Sequence, residues 1–120
     1  DIQFRYELEG IEMLVSLEGP FDLHSSEKFL KGMAAHSFSG TARVAVELAE
    51  VESIDSSGIG VLIVWTRRLA ALGGELMLVA PSPRIRRVLD LLQLEQVFRI
   101  FPDIASAQAA ARPQGPLDCP

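Results

Sequence analysis

A chain of 120 residues, 48% hydrophobic and 22% charged, can bury a core of its own, so one soluble globular domain is expected. Its formal net charge of −5 argues against the clustered cationic footprint of a nucleic-acid binder. The longest apolar runs, Val61-Trp65 and Leu76-Ala80, fall far short of the roughly 20 residues that cross a bilayer, so no membrane insertion is expected.

Ile2, Phe4, Tyr6 and Leu8 alternate with Gln3, Arg5, Glu7 and Glu9, which predicts a strand with one wet face. Glu9-Gly10 supplies a turn. Met13, Val15 and Leu17 alternate again, so the two strands are expected to form an antiparallel hairpin. Gly19-Pro20 is expected to end the second strand. A loop over Phe21-Ser25 then leads to a helix capped by Ser25 or Ser26. Phe29, Leu30, Met33 and Ala34 share its inner face, with Glu27, Lys28 and Lys31 outside. Ser37 to Gly40 reads as a turn.

Arg43 to Leu48 reads as a buried strand. It leads into Val51-Glu52-Ser53-Ile54-Asp55-Ser56-Ser57-Gly58-Ile59-Gly60-Val61-Leu62, the stretch that organises the chain. Ile59, Leu62, Ile63, Thr66, Leu69 and Ala70 recur there at helical spacing. The reading is strand, tight loop and helix start, with Ser56 or Ser57 near the N-cap. A helix start carries unpaired N–H groups and a positive dipole end, so a hydroxyl held there suits a phosphate. The helix is expected to stop at Gly73-Gly74. A second apolar stripe, Val61, Val64, Trp65 and Leu72 with Arg68 among them, is expected to be covered by a neighbouring helix rather than left as an interaction surface.

Glu75 to Ala80 reads as a central strand, broken by Pro81-Ser82-Pro83. Ser82 as N-cap and Pro83 as first helical residue open the next helix. Ile85, Val88, Leu89 and Leu92 are expected inside, and Arg84, Arg86 and Arg87 outside as a solvated face. Val97 to Phe101 is a last short strand, and Pro102-Asp103 starts an Ala-rich helix reaching about Ala111. Residues 112–120 carry three prolines and the only cysteine, Cys119, and read as a disordered tail after a domain spanning 1–111. A lone cysteine allows no internal disulfide, and with no secretory signal pattern at the start the expected setting is cytoplasmic.

The order β-β-α-β-α-β-α-β-α predicts an α/β domain: a mixed β-sheet of about five strands, including the N-terminal antiparallel hairpin, packed with about four α-helices. The Asp22 loop and the Asp55–Gly60 loop both follow strands and are placed to meet beyond the strands' carboxyl ends. Asp22, His24 and Ser57 contain the letters of a hydrolase triad. There is no Gly-x-Ser-x-Gly elbow, however, and His24 lies too close to Asp22 to promise triad geometry. The two histidines, Asp22, Asp55 and Cys119 have no metal-ligand spacing. No metal, cofactor or enzymatic activity is expected.

Leu48-Ala49-Glu50-Val51 followed by Ile54-Asp55-Ser56-Ser57-Gly58-Ile59-Gly60-Val61-Leu62 resembles the signature of STAS domains, most closely the bacterial anti-sigma factor antagonists. Gly19-Pro20-Phe21-Asp22 is similar to that family's Gly-x-x-Asp, and Gly73-Gly74-Glu75-Leu76 to the run before its fourth strand. The resemblance covers about residues 4 to 110. Pro20, where a polar residue is common, and the Pro-rich tail depart from the pattern.

The resemblance implies a partner-switching module. The unphosphorylated antagonist binds an anti-sigma factor that is also a serine kinase, and so frees a sigma factor. The kinase uses ATP to phosphorylate one serine, which by position is Ser57, and a separate phosphatase reverses the change. Asp22 and Asp55 match the acidic positions beside the acceptor. Ser56, Gly58, Ile59 and Gly60 flank it as partner-binding positions. A homodimer is left open. The alternative implied by the same family is a STAS module used as a scaffold or as the regulatory part of a sensing or transport assembly.

Overall fold

The computed structural model describes residues 1–111, so the expected tail and Cys119 lie outside the described residues. Strands β1 (Ile2–Leu8) and β2 (Ile11–Phe21) form the antiparallel hairpin, with Phe4 opposite Val15 and Ile2 opposite Leu17. Helix α1 (Leu23–Ala34) follows, then β3 (Arg43–Ile54), α2 (Ser56–Ala71), β4 (Glu75–Val79), α3 (Pro83–Leu91), a 3-10 turn over Leu94–Gln96, β5 (Arg99–Phe101) and α4 (Ile104–Ala109). The sheet order is β1-β2-β3-β4-β5, and every pair after the hairpin is parallel.

Three crossovers add strands in one direction, so right-handed connections place their helices on one face of the sheet. On that face Phe29 and Met33 of α1, Leu62, Trp65 and Leu69 of α2, and Ile85 and Leu89 of α3 pack on Met13, Val15, Val44, Val46, Leu76 and Leu78. Because strand side chains alternate, Leu14, Ala45, Met77 and Val79 point the other way. There α4 covers them through Ala107 and Ile104. None of the helices of residues 1–111 is long and apolar enough to cross a membrane.

Two strands are longer than expected. β2 runs through Gly19-Pro20 to Phe21, and β3 runs past Leu48 to Ile54. The extensions support each other: Gly19 pairs with Val51, Pro20 with Ser53 and Phe21 with Ile54. Gly19 accommodates the register shift there with φ +85°. β1 pairs only as far as Leu17, so the N–H that Pro20 lacks costs no bond to that neighbour.

Helix faces also depart from the periodic reading. Leu30 and Ala34 are exposed, while Ser25 and Ser26 are buried, because α1 lays its Ser26-Phe29-Met33 stripe inward. Leu92 is exposed because α3 ends at Leu91 and the chain turns there. Leu94, in the unexpected 3-10 turn, fills the core instead. The last strand begins at Arg99 rather than Val97 for the same reason.

The second stripe of α2 divides. Trp65 is covered, but by the Phe38 ring of the α1–β3 connection, 5.7 Å away, rather than by a helix. The Arg68 guanidinium lies 5.1 Å from the Trp65 ring centre. Val64 and Leu72 remain 42% and 58% exposed.

Candidate functional site

The residues singled out in the sequence gather at the carboxyl ends of β2 and β3. Phe21 and Ile54 are register partners, so Asp22 and Asp55, each the next residue, leave adjacent strand ends. The Asp55 N–H donates to the Phe21 carbonyl at 3.3 Å, which extends the pairing by one step. Each aspartate then caps the helix that follows it.

The caps are aspartates where serines were expected. A short acceptor on extended backbone one residue before the helix is what the free N–H groups require. Asp22 has φ −112° and ψ −166°, and Asp55 has φ −106° and ψ −175°. Asp22 Oδ1 accepts from the Ser25 N–H at 3.2 Å, and the Asp22 N–H donates to Ser25 Oγ at 2.9 Å, a reciprocal capping box. The Ser25 backbone and hydroxyl bonds hold the Asp22 carboxyl below the usual aspartate range. Ser25 is therefore the partner of the cap and not the cap itself.

At α2, Asp55 Oδ1 accepts from the N–H groups of both Ser57 (2.9 Å) and Gly58 (3.1 Å). This relieves Ser57 of the capping role. Among the described residues its hydroxyl has no hydrogen-bond partner, and the residue is partly exposed on the first turn of α2. Ser56 is exposed beside it. Gly58 is buried against the end of β2: a Cβ there would stand 2.7 Å from the Phe21 carbonyl oxygen and 3.0 Å from its ring. Ile59 is half-buried against the main core. Gly60 lies one turn along from Ser57.

The arrangement holds the Ser57 backbone fixed and leaves its hydroxyl free, within reach of a group that arrives from solvent. It also limits what α2 can do for an added phosphate. The helix dipole favours an anion, but two of the N–H groups that would bind one are already taken by Asp55.

His24 is exposed on the first turn of α1, and no hydrogen bond joins its imidazole to Asp22 or Ser57 among the described residues. The triad letters therefore form no relay here. Leu23, 62% exposed next to Asp22, adds an apolar element to the rim. The residue pattern alone puts Leu23 in the loop before α1. The signal lay in Asp22 acting as the cap, which makes Leu23 the first residue of a helix whose inner stripe begins later.

A model of the STAS domain matches residues 5–107 of the chain. An anti-sigma F factor antagonist of Lysinibacillus sphaericus is 32% identical over 77 residues, covering 63% of this chain and 66% of that protein. A candidate anti-sigma factor antagonist of Thermotoga maritima is 33% identical over 73 residues, covering 61% of this chain and 65% of the relative. The match thus spans less than two thirds of these relatives' lengths. The unphosphorylated form of the anti-sigma factor antagonist SpoIIAA superposes with a TM-score of 0.68 at 21% identity, covering 83% of this chain and 87% of that one. The phosphorylated form of the Bacillus protein superposes with a TM-score of 0.65 at 24% identity, over 83% and 90%. At such identities the structural likeness speaks for the fold.

Proposed function

The chain belongs to the STAS domain family, and on that premise we propose that it is an anti-sigma factor antagonist switched by phosphorylation of Ser57. The observation that carries the reading is the Ser57 hydroxyl: free of any structural bond, on a backbone pinned by Asp55, at the start of a fixed helix. In the kinase reaction Ser57 Oγ attacks the γ-phosphorus of ATP. The new O–P bond forms as the bond to the β-phosphate oxygen breaks, ADP leaves, and the serine proton passes to a base on the kinase.

The unphosphorylated surface binds the anti-sigma factor that is also the kinase, and a sigma factor is released. Phosphate adds about −1.5 to −2 charges at this rim. Asp55 occupies the nearby N–H donors, so the dianion gains little from the helix and keeps its water. A partner docking on the first turns of α2 would have to strip that water, at a cost of several kcal/mol. A loss of about 3 kcal/mol is roughly a hundredfold in affinity, enough to exchange partners without refolding. A phosphatase that removes the group restores binding.

The test is phosphosite mapping by mass spectrometry after incubation with ATP and an extract of the source cells. One phosphoryl group on Ser57, absent from Ser57→Ala, is the expected result, and fractionating the activity then isolates the kinase. An unmodified Ser57, in an extract that phosphorylates other switch proteins, would turn the reading toward a scaffold module of the same family.

A further inference from the structure

The charges of the chain are unevenly placed. Helices α1, α2 and α3 together carry seven lysines and arginines against two acids, Glu27 and Asp90, a surplus of five. The whole chain sums to −5, so everything outside these helices carries −10. The three helices cover one face of the sheet, whereas Glu47, two residues after Ala45, points to the other. In the helical layer α2 and α3 are parallel neighbours, since each returns from one parallel strand to the start of the next. Val64, Arg67 and Ala71 form one stripe of α2, and Arg84, Arg87 and Leu91 repeat that spacing on α3. All six are exposed, Leu91 at 75%. Leu72, just past the end of α2, is exposed as well.

The arginines of α3 stand against the stability of their own helix. Arg84, Arg86 and Arg87 lie near its start, where the dipole is positive and disfavours cations, and no acid in the first turn offsets them. Arg86 has Asp90 at 3.1 Å. Among the described residues Arg67, Arg84 and Arg87 form no ion pair. We propose that this face of α2 and α3 is a docking surface for an anionic lipid bilayer, on which the chain lies without spanning it. Guanidinium forks match lipid phosphates, and exposed leucines enter the boundary between headgroups and acyl chains. A nucleic acid offers the same phosphates but nothing in which Leu72 and Leu91 could be buried. The acidic remainder does not cancel the attraction. The molecule measures 39 × 31 × 24 Å, and the screening length is about 8 Å at physiological ionic strength, so acids on the opposite face are screened from a bilayer that touches the helices. The proposal does not rest on the Ser57 reading: Leu72 and Leu91 follow the last turns of their helices, at the end of the layer away from Ser57.

The experiment is co-sedimentation of the full chain with vesicles of equal parts phosphatidylglycerol and phosphatidylcholine, and with vesicles of phosphatidylcholine alone. The chain is expected to pellet with the anionic vesicles only, and to leave them as salt rises from about 0.1 to about 0.5 M. Replacing Arg84 and Arg87 together by Gln should lower the partition coefficient roughly 25-fold, about fivefold for each arginine. That double variant should not lower Tm, because both cations oppose the helix dipole. Leu91→Ser should also weaken binding. Arg5→Gln, at an exposed position whose register partner Leu14 faces α4, should leave binding unchanged. Failure of the wild-type chain to bind anionic vesicles overturns the proposal, and binding to double-stranded DNA in their place assigns the face to nucleic acid instead. Undiminished binding of the double variant overturns it as well. So does a loss in Arg5→Gln equal to that of a single α3 arginine, which would make net charge and not this face the cause of adsorption. Leu91→Ser binding as tightly as wild type overturns the bilayer as the partner.

Discussion

The Ser57 hydroxyl can be removed at little cost to the fold, since Asp55 takes both N–H groups that a capping serine would have satisfied. Ser57→Ala is therefore expected to change stability by less than about 0.5 kcal/mol. Asp55→Ala, which frees two donors, should cost about 1 kcal/mol. Paired thermal melts followed by Trp65 fluorescence measure both, and a larger loss in Ser57→Ala than in Asp55→Ala would contradict the assignment of the cap. The caps also set a pH dependence. The Asp22 and Asp103 carboxyls are held low by the Ser25 and Ser106 backbone N–H groups and by the hydroxyls of the same serines. Burial pushes Glu12 up, but hydrogen bonds from Ser39 and His36 outweigh it and leave that carboxyl low as well. Groups depressed in the folded state add stability above their unfolded pKa and lose it as pH falls through the folded value. Tm should be flat in this respect above about pH 5 and fall below about pH 4. Replacing Glu12 by Gln should reduce the fall; an identical acid limb would remove it from the account.

At the scale of the element, α2 carries both the site and the contacts that fix it. Gly58→Ala would drive a methyl into the Phe21 carbonyl at 2.7 Å, so α2 must shift from the end of β2. The expected loss is about 1–3 kcal/mol, read by denaturant unfolding. A stability gain there, as helix propensity alone would give, would show that α2 does not seat on β2 as described. This same junction marks what the sequence reveals and what it hides. Ile59, Leu62, Ile63, Thr66 and Leu69 announce the helix through spacing alone, and Gly73-Gly74 announces its end. The strand lengths are not local properties: Val51, Ser53 and Ile54 are held in β3 by Gly19, Pro20 and Phe21, and those by them. Read singly, Gly19-Pro20 is a stop. The caps of α1 and α2, unlike the Ser82 cap of α3, escape the sequence for a related reason. Asp and Ser satisfy a helix start with the same chemistry, and only backbone angles tell which one stands at the boundary. The meeting of the Asp22 and Asp55 loops was legible, because parallel neighbouring strands bring their following loops together.

Across the whole molecule, an ion network fastens the end of the sheet opposite the site. Arg43 Nε donates to Glu75 Oε2 at 2.9 Å, and both side chains are buried. Arg99 Nη1 reaches Glu75 Oε1 at 3.1 Å and the Ala111 carbonyl at 3.0 Å. Arg43 Nη2 donates to the Ala107 carbonyl, also at 3.0 Å. The network ties β3, β4, β5 and the α4 region together. Charges at strand ends ordinarily read as solvated, so only the Arg43–Glu75 register exposes it. Arg43→Met should destabilise the protein by about 3 kcal/mol or more, because it leaves Glu75 short of a partner in a buried setting. Adding Glu75→Leu should recover much of that loss, and no recovery would mean that Glu75 has no dependence on Arg43. The fold is thus anchored at one end of the sheet, while the other end presents a fixed helix start with a free hydroxyl.

The central claim is that charge on Ser57 changes partner affinity while the fold stays as it is. The direct measurement is titration of the purified kinase with unphosphorylated protein and with protein phosphorylated on Ser57, each checked by amide chemical shifts. The account predicts a loss of roughly a hundredfold in affinity, with shift changes confined to the Asp22 and Asp55–Gly60 turns. Equal affinities for the two forms would contradict it.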